Sequence, residues 1–236
     1  MRILAVLIVA AAAAVSAAEG QWEGQASIGG LVTSGNSEVT QLDSGLELAR
    51  QLLPFLTADM RASASYGSQE GDTYREKYMT ETGLRWDISG SSYARLRGYW
   101  TRDDFSGISH EYGASAGLGR SLLSSAAFQA TMEAGAGLLH RKSTADSILE
   151  TSTGYLSLNL EWGATEIWTF TEEAKLTNDF QDSENYTMES VLEASSSITG
   201  NLSFLVGYDI TYHNLPPVEG NERTDTALRL QLRLGI

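Results

Sequence analysis

Alternation of apolar and polar residues is the feature that most constrains the fold of this chain. Residues 128–138 and 228–236 show it, and residues 202–212 show it most clearly, since their even-numbered residues are all large and apolar. The odd-numbered residues between them are mostly small or polar. Successive side chains of a β-strand point to opposite faces, so this period of two predicts strands with one apolar and one polar face.

The same alternation along the chain predicts about twelve strands. Each is at least as long as the about 9–11 residues that a tilted strand needs to cross a bilayer. The even count and the uninterrupted series indicate an all-β fold, a single-domain antiparallel transmembrane β-barrel over residues 19–236. The predicted strands are 22–33, 38–50, 55–66, 74–87, 92–102, 108–121, 126–140, 148–162, 167–178, 185–198, 201–213 and 224–236.

The connections between these strands alternate in character. One set is short and carries almost no charge: 51–54, 88–91, 122–125, 163–166 and 199–200. The other set is generally longer and rich in charged residues: 67–73, 103–107, 141–147, 179–184 and 214–223. Short periplasmic turns and longer polar outer loops are typical of outer-membrane barrels.

Aromatic residues lie at both ends of the predicted strands. Beside the short turns are Trp22, Trp86, Trp162 and Trp168, and beside the charged loops are Tyr66, Tyr74, Trp100, Tyr112, Tyr186 and Tyr212. Amphipathic rings favour the membrane–water interface, so two belts are expected of a spanning barrel.

Charge and cysteine content narrow the functional classes. The formal net charge of −14 disfavours nucleic acid as a partner, because its phosphates would be repelled. The same charge disfavours docking on an anionic membrane through a basic patch. The chain has no cysteine, so an exported protein of this sequence must gain its stability from a sizeable core or from a closed hydrogen-bonded sheet rather than from disulfides.

The N-terminus predicts export. Arg2 precedes an apolar stretch over residues 3–14, and Val15-Ser16-Ala17 is a small-residue cleavage site. Residues 1–18 are therefore expected to be a cleaved signal peptide, with an uncleaved anchor as the alternative. The predicted destination is the outer membrane of a Gram-negative bacterium.

The C-terminus ends on a strand. Apolar residues alternate up to Ile236, as in the signal by which outer-membrane barrels engage their insertion machinery, although such signals usually end in Phe. Outer-membrane lipid and that machinery are the expected partners, and the sequence leaves the oligomeric state open.

If the apolar faces contact lipid, the alternate charged residues face the lumen. The predicted lumen-facing charges are Asp43, Glu47, Asp59, Arg61, Lys77, Glu81, Arg85, Arg95, Arg97, Glu133, Glu161, Glu173, Lys175, Asp209, Arg229 and Arg233. Eight of them are the candidate site residues: Glu81, Arg85, Arg95, Arg97, Glu161, Asp209, Arg229 and Arg233. One hairpin register across residues 88–91 would place Glu81 opposite Arg97 as a cross-strand ion pair. Two interpretations remain open: a charged constriction that selects small solutes or ions, and a salt-bridged interior that holds a narrow barrel together. The sequence permits an open lumen and a plugged one equally.

Two other functional classes are alternatives. His110 and His140 lie near the outer strand ends, and Asp103 and Asp104 lie one short loop from His110, so the first alternative is an enzyme with a His–carboxylate site at the extracellular rim. A soluble barrel that binds an apolar ligand would instead turn its apolar faces inward. No catalytic residue, cofactor site or metal-ligand set is assigned.

Several short motifs suggest a family. They are Trp22-Glu23-Gly24, Gly29-Gly30, Thr33-Ser34-Gly35-Asn36-Ser37, Arg102-Asp103 with Phe105 and Gly107, Asn178-Asp179, Asn214-Leu215-Pro216-Pro217 and Asp225-Thr226. Together they resemble the salt-induced outer-membrane proteins, a family known as a domain of unknown function. The resemblance covers nearly the whole mature chain and implies an outer-membrane barrel with a link to osmotic stress. It brings no reaction, ligand or catalytic residue.

Overall fold

A computed structural model describes residues 22–33, 39–218 and 220–235 of the chain. The predicted signal peptide, motif residues 34–37 and the terminal Ile236 lie outside the described residues.

The described residues form twelve antiparallel strands in one closed barrel, which confirms the predicted fold class. Each strand pairs with its neighbours in sequence, and β1 pairs with β12 to close the ring. The strands are β1 (Glu23–Thr33), β2 (Val39–Leu53), β3 (Leu56–Gln69), β4 (Asp72–Asp87), β5 (Ser92–Asp103), β6 (Ile108–Ser124), β7 (Phe128–Ser143), β8 (Ile148–Gly163), β9 (Trp168–Asp179), β10 (Tyr186–Thr199), β11 (Leu202–His213) and β12 (Thr224–Gly235). None of the described residues belongs to a helix that is long and apolar enough to cross a membrane.

A single ion pair identifies the inner face of the barrel. Arg61 on β3 contacts Glu173 on β9, and these strands lie six positions apart around a ring of twelve, so the contact must cross the interior. Along each strand, the side chains between these inward-facing ones point outward and are mostly apolar. Leu96, Leu118 and Leu138, on consecutive strands, are examples, and all three are exposed. Apolar residues outside and charged residues inside are what a membrane-spanning barrel requires.

Aromatic side chains cluster at both ends of the barrel. Beside the short turns, Phe170 stacks between Trp162 and Trp168, with ring centroids 5.6 and 6.2 Å away. At the opposite end, the rings of Tyr186 and Tyr212 are 6.0 Å apart. These contacts form the two belts that the strand ends predicted.

The connection expected over residues 67–73 is shorter than predicted. Strands β3 and β4 remain paired as far as Gln69 and Asp72, which leaves only Glu70 and Gly71 in the turn. Both have positive φ, at 52° and 89°. Two consecutive residues with positive φ form the tight turn that matches the twist of a hairpin, so the strands extend closer to the tip.

Candidate functional site: the lumen of the barrel

The inner face of β6 is made of small residues over which tyrosines lie. A Cβ built at Gly113 or Gly119 would be 2.1 Å from the ring of Tyr99 or Tyr93, respectively, and one at Gly117 would be 2.1 Å from the Tyr155 hydroxyl. The glycines therefore let these side chains lie flat along the wall instead of projecting into the lumen.

Adding one methyl group at Gly119 should destabilise the barrel. We expect Gly119→Ala to lower the free energy of unfolding by about 1–3 kcal/mol, because Tyr93 must leave its place on the wall. Gly98→Ala is the matched control, since its Cβ would meet no atom nearer than 3.9 Å. Urea titrations of both variants in detergent micelles measure the difference, and equal midpoints would contradict the packing argument.

Arg97 and Glu133 form the most enclosed charged group. The guanidinium of Arg97 lies 2.7 and 3.1 Å from the Glu133 carboxylate oxygens, and the Tyr155 hydroxyl donates to the same carboxylate at 2.6 Å. The Glu133 side chain is 1% exposed and that of Arg97 is 16% exposed. A carboxylate this enclosed requires such donors to offset the loss of water.

A second ion pair crosses one strand of the wall. Arg95 on β5 donates to Asp59 on β3 at 2.7 Å, passing over β4 at Gly83. A Cβ at Gly83 would be 2.7 Å from the Asp59 carboxylate, so only glycine leaves room for this contact.

A third group lies near the closure of the barrel. Arg229 donates to both oxygens of Asp209, at 2.7 and 2.9 Å, and to Glu193 at 3.2 Å. Arg233 donates to the other oxygen of Glu193 at 2.7 Å. Four charged side chains from β10, β11 and β12 thus neutralise one another along the wall.

The Arg61–Glu173 pair, which we call the strut, differs from these wall pairs because it spans the lumen. Two parallel hydrogen bonds of 2.9 and 3.0 Å join the side chains. Lys175, two residues along β9, lies 5.8 Å from the ring of Tyr99 on β5. Twelve strands enclose more space than side chains alone fill, so contacts between distant walls indicate a narrow cross-section.

Both residues of the strut were predicted to face the lumen, but they were not among the eight candidate site residues and their pairing was not predicted. Period two places both on the polar face, but it does not tell which residues lie at the same height on opposite walls. That information comes from the closed strand order and the register of the intervening ladders.

The predicted pairing of Glu81 opposite Arg97 is wrong by one step of the ladder. The register sets Glu81 opposite Tyr99 and Arg97 opposite Gly83. The two charges still meet diagonally, with Arg97 Nε 3.7 Å from Glu81 Oε1, but Glu133 is the closer partner of Arg97.

The remaining two of the eight candidate site residues, Arg85 and Glu161, lie toward the short turns. Arg85 pairs with Asp87 at 2.8 Å, and its guanidinium lies 3.9 Å from the centre of the Tyr93 ring. Glu161 stands between Gln129 and Thr171 in the sheet and is exposed.

In the structure, His110 and the nearby Asp103 and Asp104 have separate partners. His110 stacks between Trp100 and Tyr112, with ring centroids 6.2 and 6.4 Å away. Asp103 accepts a hydrogen bond from the Ser106 backbone N–H and forms an ion pair with Lys77. Asp104 forms an ion pair with Arg102. Within residues 22–33, 39–218 and 220–235, no three histidine or acidic side chains are grouped as metal ligands would be.

The chain is similar to known proteins over nearly all of its length. A family model described as "Protein of unknown function, DUF481" matches residues 26–235. The uncharacterized protein YdiY of Escherichia coli K12 is 24% identical over 218 residues, which is 92% of this chain and 84% of that protein.

Solved structures with a similar fold are outer-membrane barrels. An outer membrane channel from Pseudomonas putida F1 aligns with a TM-score of 0.55 and 12% identity, covering 92% of this chain and 96% of the channel. The NanC porin aligns with a TM-score of 0.52 and 11% identity, covering 90% and 97%. At such identities the likeness shows the fold alone. The chain belongs to the DUF481 family of proteins of unknown function and has the fold of an outer-membrane β-barrel.

Proposed function

We propose that this protein is a narrow, water-filled channel of the bacterial outer membrane that passes small solutes or ions. The strut carries the proposal. Its Arg61 and Glu173 side chains are 39% and 43% exposed although they meet inside the barrel. Water-sized space therefore surrounds the strut, whereas the wall pair of Arg97 and Glu133 is enclosed.

The position of the strut suggests how it would act. A charged pair that spans an aqueous lumen divides the passage and presents both signs of charge to anything that moves past it. Because water surrounds the pair, holding it there costs less desolvation energy than enclosing it would. The strut is thus suited to be the constriction of the channel.

Removing the strut should enlarge the passage. We expect the double variant Arg61→Ala/Glu173→Ala to show a single-channel conductance roughly twofold or more above that of the unmodified protein in planar bilayers. The charge-swapped variant Arg61→Glu/Glu173→Arg is the control. It keeps both long side chains and an opposite-charge pair, so its conductance should stay near the original value.

The opposite result would favour a structural role. If the unmodified protein and both variants fold and insert, as judged by heat-modifiable gel migration, but none conducts, the barrel is plugged and the channel proposal fails. The ion pairs inside the barrel would then serve to hold together the interior of a structural envelope protein.

The resemblance to salt-induced proteins extends the proposal to osmotic stress. A channel for small solutes would matter when external salt rises, so a strain that lacks the gene should grow more slowly in high salt. Growth restored by the unmodified gene supports this role, and equal growth of deletion and parent strains argues against it.

A further inference from the structure

The connection between β11 and β12 begins with a segment that leaves its own strands and leans over the mouth. We call residues 214–218 the strap. The Asn214 side chain donates to the backbone carbonyl of Glu184 at 2.8 Å, and its backbone N–H donates to the carbonyl of Tyr186 at 3.0 Å. The backbone bond continues the β10–β11 ladder beyond the pair of Thr187 and His213, so the strap leaves the barrel wall only after Asn214.

The far end of the strap reaches the opposite rim. A Cβ built at Gly107 would lie 2.8 Å from a methyl group of Val218, so the two residues are in close contact. Beside them, the Ser106 hydroxyl donates to Asp225 on β12 at 3.2 Å. The turn between β5 and β6 lies half a ring away from β12, so both contacts must span the mouth.

Glycine is required at this landing point. Gly107 has a φ of +85°, a conformation that other residues rarely adopt, and a side chain there would displace Val218. Several of the short motifs in the sequence thus lie close together in space, since Gly107, Asp225 and the Asn214–Pro217 segment all meet at this mouth.

The middle of the strap borders a cavity whose other lining residues are mostly polar. Leu215, Pro216 and Pro217 line a cavity of about 140 Å³ together with Arg141 and Leu149 from the facing ends of β7 and β8, among others. Leu149 lies opposite Arg141 in the ladder, on a face that is otherwise largely polar. An apolar residue at this position is explained by its closeness to the strap.

The strap has the mechanics of a lid. Two consecutive prolines fix φ and favour an extended, stiff segment, so the strap moves as a unit rather than collapsing like a flexible coil. At its far end, the Val218 side chain lies against Gly107 and the Val218 carbonyl accepts a hydrogen bond from the Asn221 backbone N–H at 3.2 Å. A segment with few such contacts is cheap to open. We propose that the strap is a lid that closes the extracellular mouth and swings aside to admit solute.

This inference rests on the proposed channel, so two independent measurements test it. The chain has no cysteine, which makes introduced cysteines the only thiols. In Ser106→Cys/Val218→Cys, a short cleavable bismaleimide would tie the strap to the opposite rim. We expect conductance to fall severalfold on cross-linking and to recover on cleavage.

A matched pair controls for cross-linking itself. Ser106→Cys/Thr144→Cys joins two neighbouring rim turns, where the Thr144 backbone N–H donates to the Gly107 carbonyl at 3.0 Å, without involving the strap. Its conductance should not change on cross-linking. Conductance that stays unchanged in the fully cross-linked strap variant would overturn the lid.

Thiol labelling reads access to the lumen without requiring conduction. A membrane-impermeant thiol reagent added outside should label Ser63→Cys, on the inner face of β3, about tenfold faster when Pro216, Pro217 and Val218 are replaced by glycine. Faster labelling without conductance in any variant would support the lid and refute the channel. An equal labelling rate would refute the lid.

Discussion

Glu133→Ala is expected to lower the free energy of unfolding of the barrel by about 3–5 kcal/mol, the largest loss for any single substitution in the lumen. The carboxylate accepts from Arg97 and from Tyr155 and is 1% exposed. Without it, the Arg97 guanidinium keeps the 3.7 Å contact with Glu81 and its place 5.7 Å from the centre of the Tyr155 ring, and the Tyr155 hydroxyl loses its acceptor. A guanidinium that is enclosed without its main carboxylate partner keeps its cost of desolvation and loses the hydrogen bonds that offset it, which destabilises the folded state.

Urea unfolding of the refolded protein in detergent micelles, followed by heat-modifiable gel migration, measures this loss. Glu161→Ala is the matched control, because Glu161 is also a glutamate of the lumen but is exposed, and its loss should change stability by no more than about 0.5 kcal/mol. Glu133→Gln should fall between the two, since the amide oxygen still accepts one bond. Equal midpoints for Glu133→Ala and Glu161→Ala would show that the enclosed ion pair does not stabilise the barrel.

Alternation in the sequence predicted the strands well because the two faces of a barrel wall face different surroundings. Leu96 and Leu118 are exposed outside, while Arg95 and Arg97 pair inside. Leu205 shows the limit of the pattern. It is an apolar residue on the polar face, and the structure buries it completely inside the barrel.

Side-chain partners were not predictable in the same way. The pairing of Glu81 with Arg97 depended on the register of one hairpin, and the four-residue turn over 88–91 sets Asp87 opposite Tyr93 instead, which moves every pair above it. A shift of two residues keeps each side chain on its face, so periodicity cannot detect it.

Contacts between distant walls of the barrel could not be predicted from the sequence. The strut and the landing of Val218 on Gly107 both depend on how a closed ring of twelve strands brings its opposite sides together. The sequence identified the residues at the rim as short motifs, but it contained no information on which loops meet.

The outer face provides the strongest test of whether the barrel spans a membrane. Leu96 on β5 and Ile88 in the short turn before β5 are similarly exposed, at 56% and 60%, but Leu96 lies near the middle of its strand. Arginine in hydrocarbon costs about 2–4 kcal/mol at the bilayer midplane and about 0–1 kcal/mol near the interface. We therefore expect Leu96→Arg to lower the free energy of unfolding by about 2–4 kcal/mol and Ile88→Arg to have little effect.

Unfolding in lipid vesicles measures both variants under the same conditions. In a soluble barrel, both side chains would already lie in water, and arginine at either position would change stability only slightly. A large loss confined to Leu96→Arg therefore requires that hydrocarbon surround the middle of the barrel. Two small and equal losses would place the exposed leucines in water and exclude a membrane-spanning barrel.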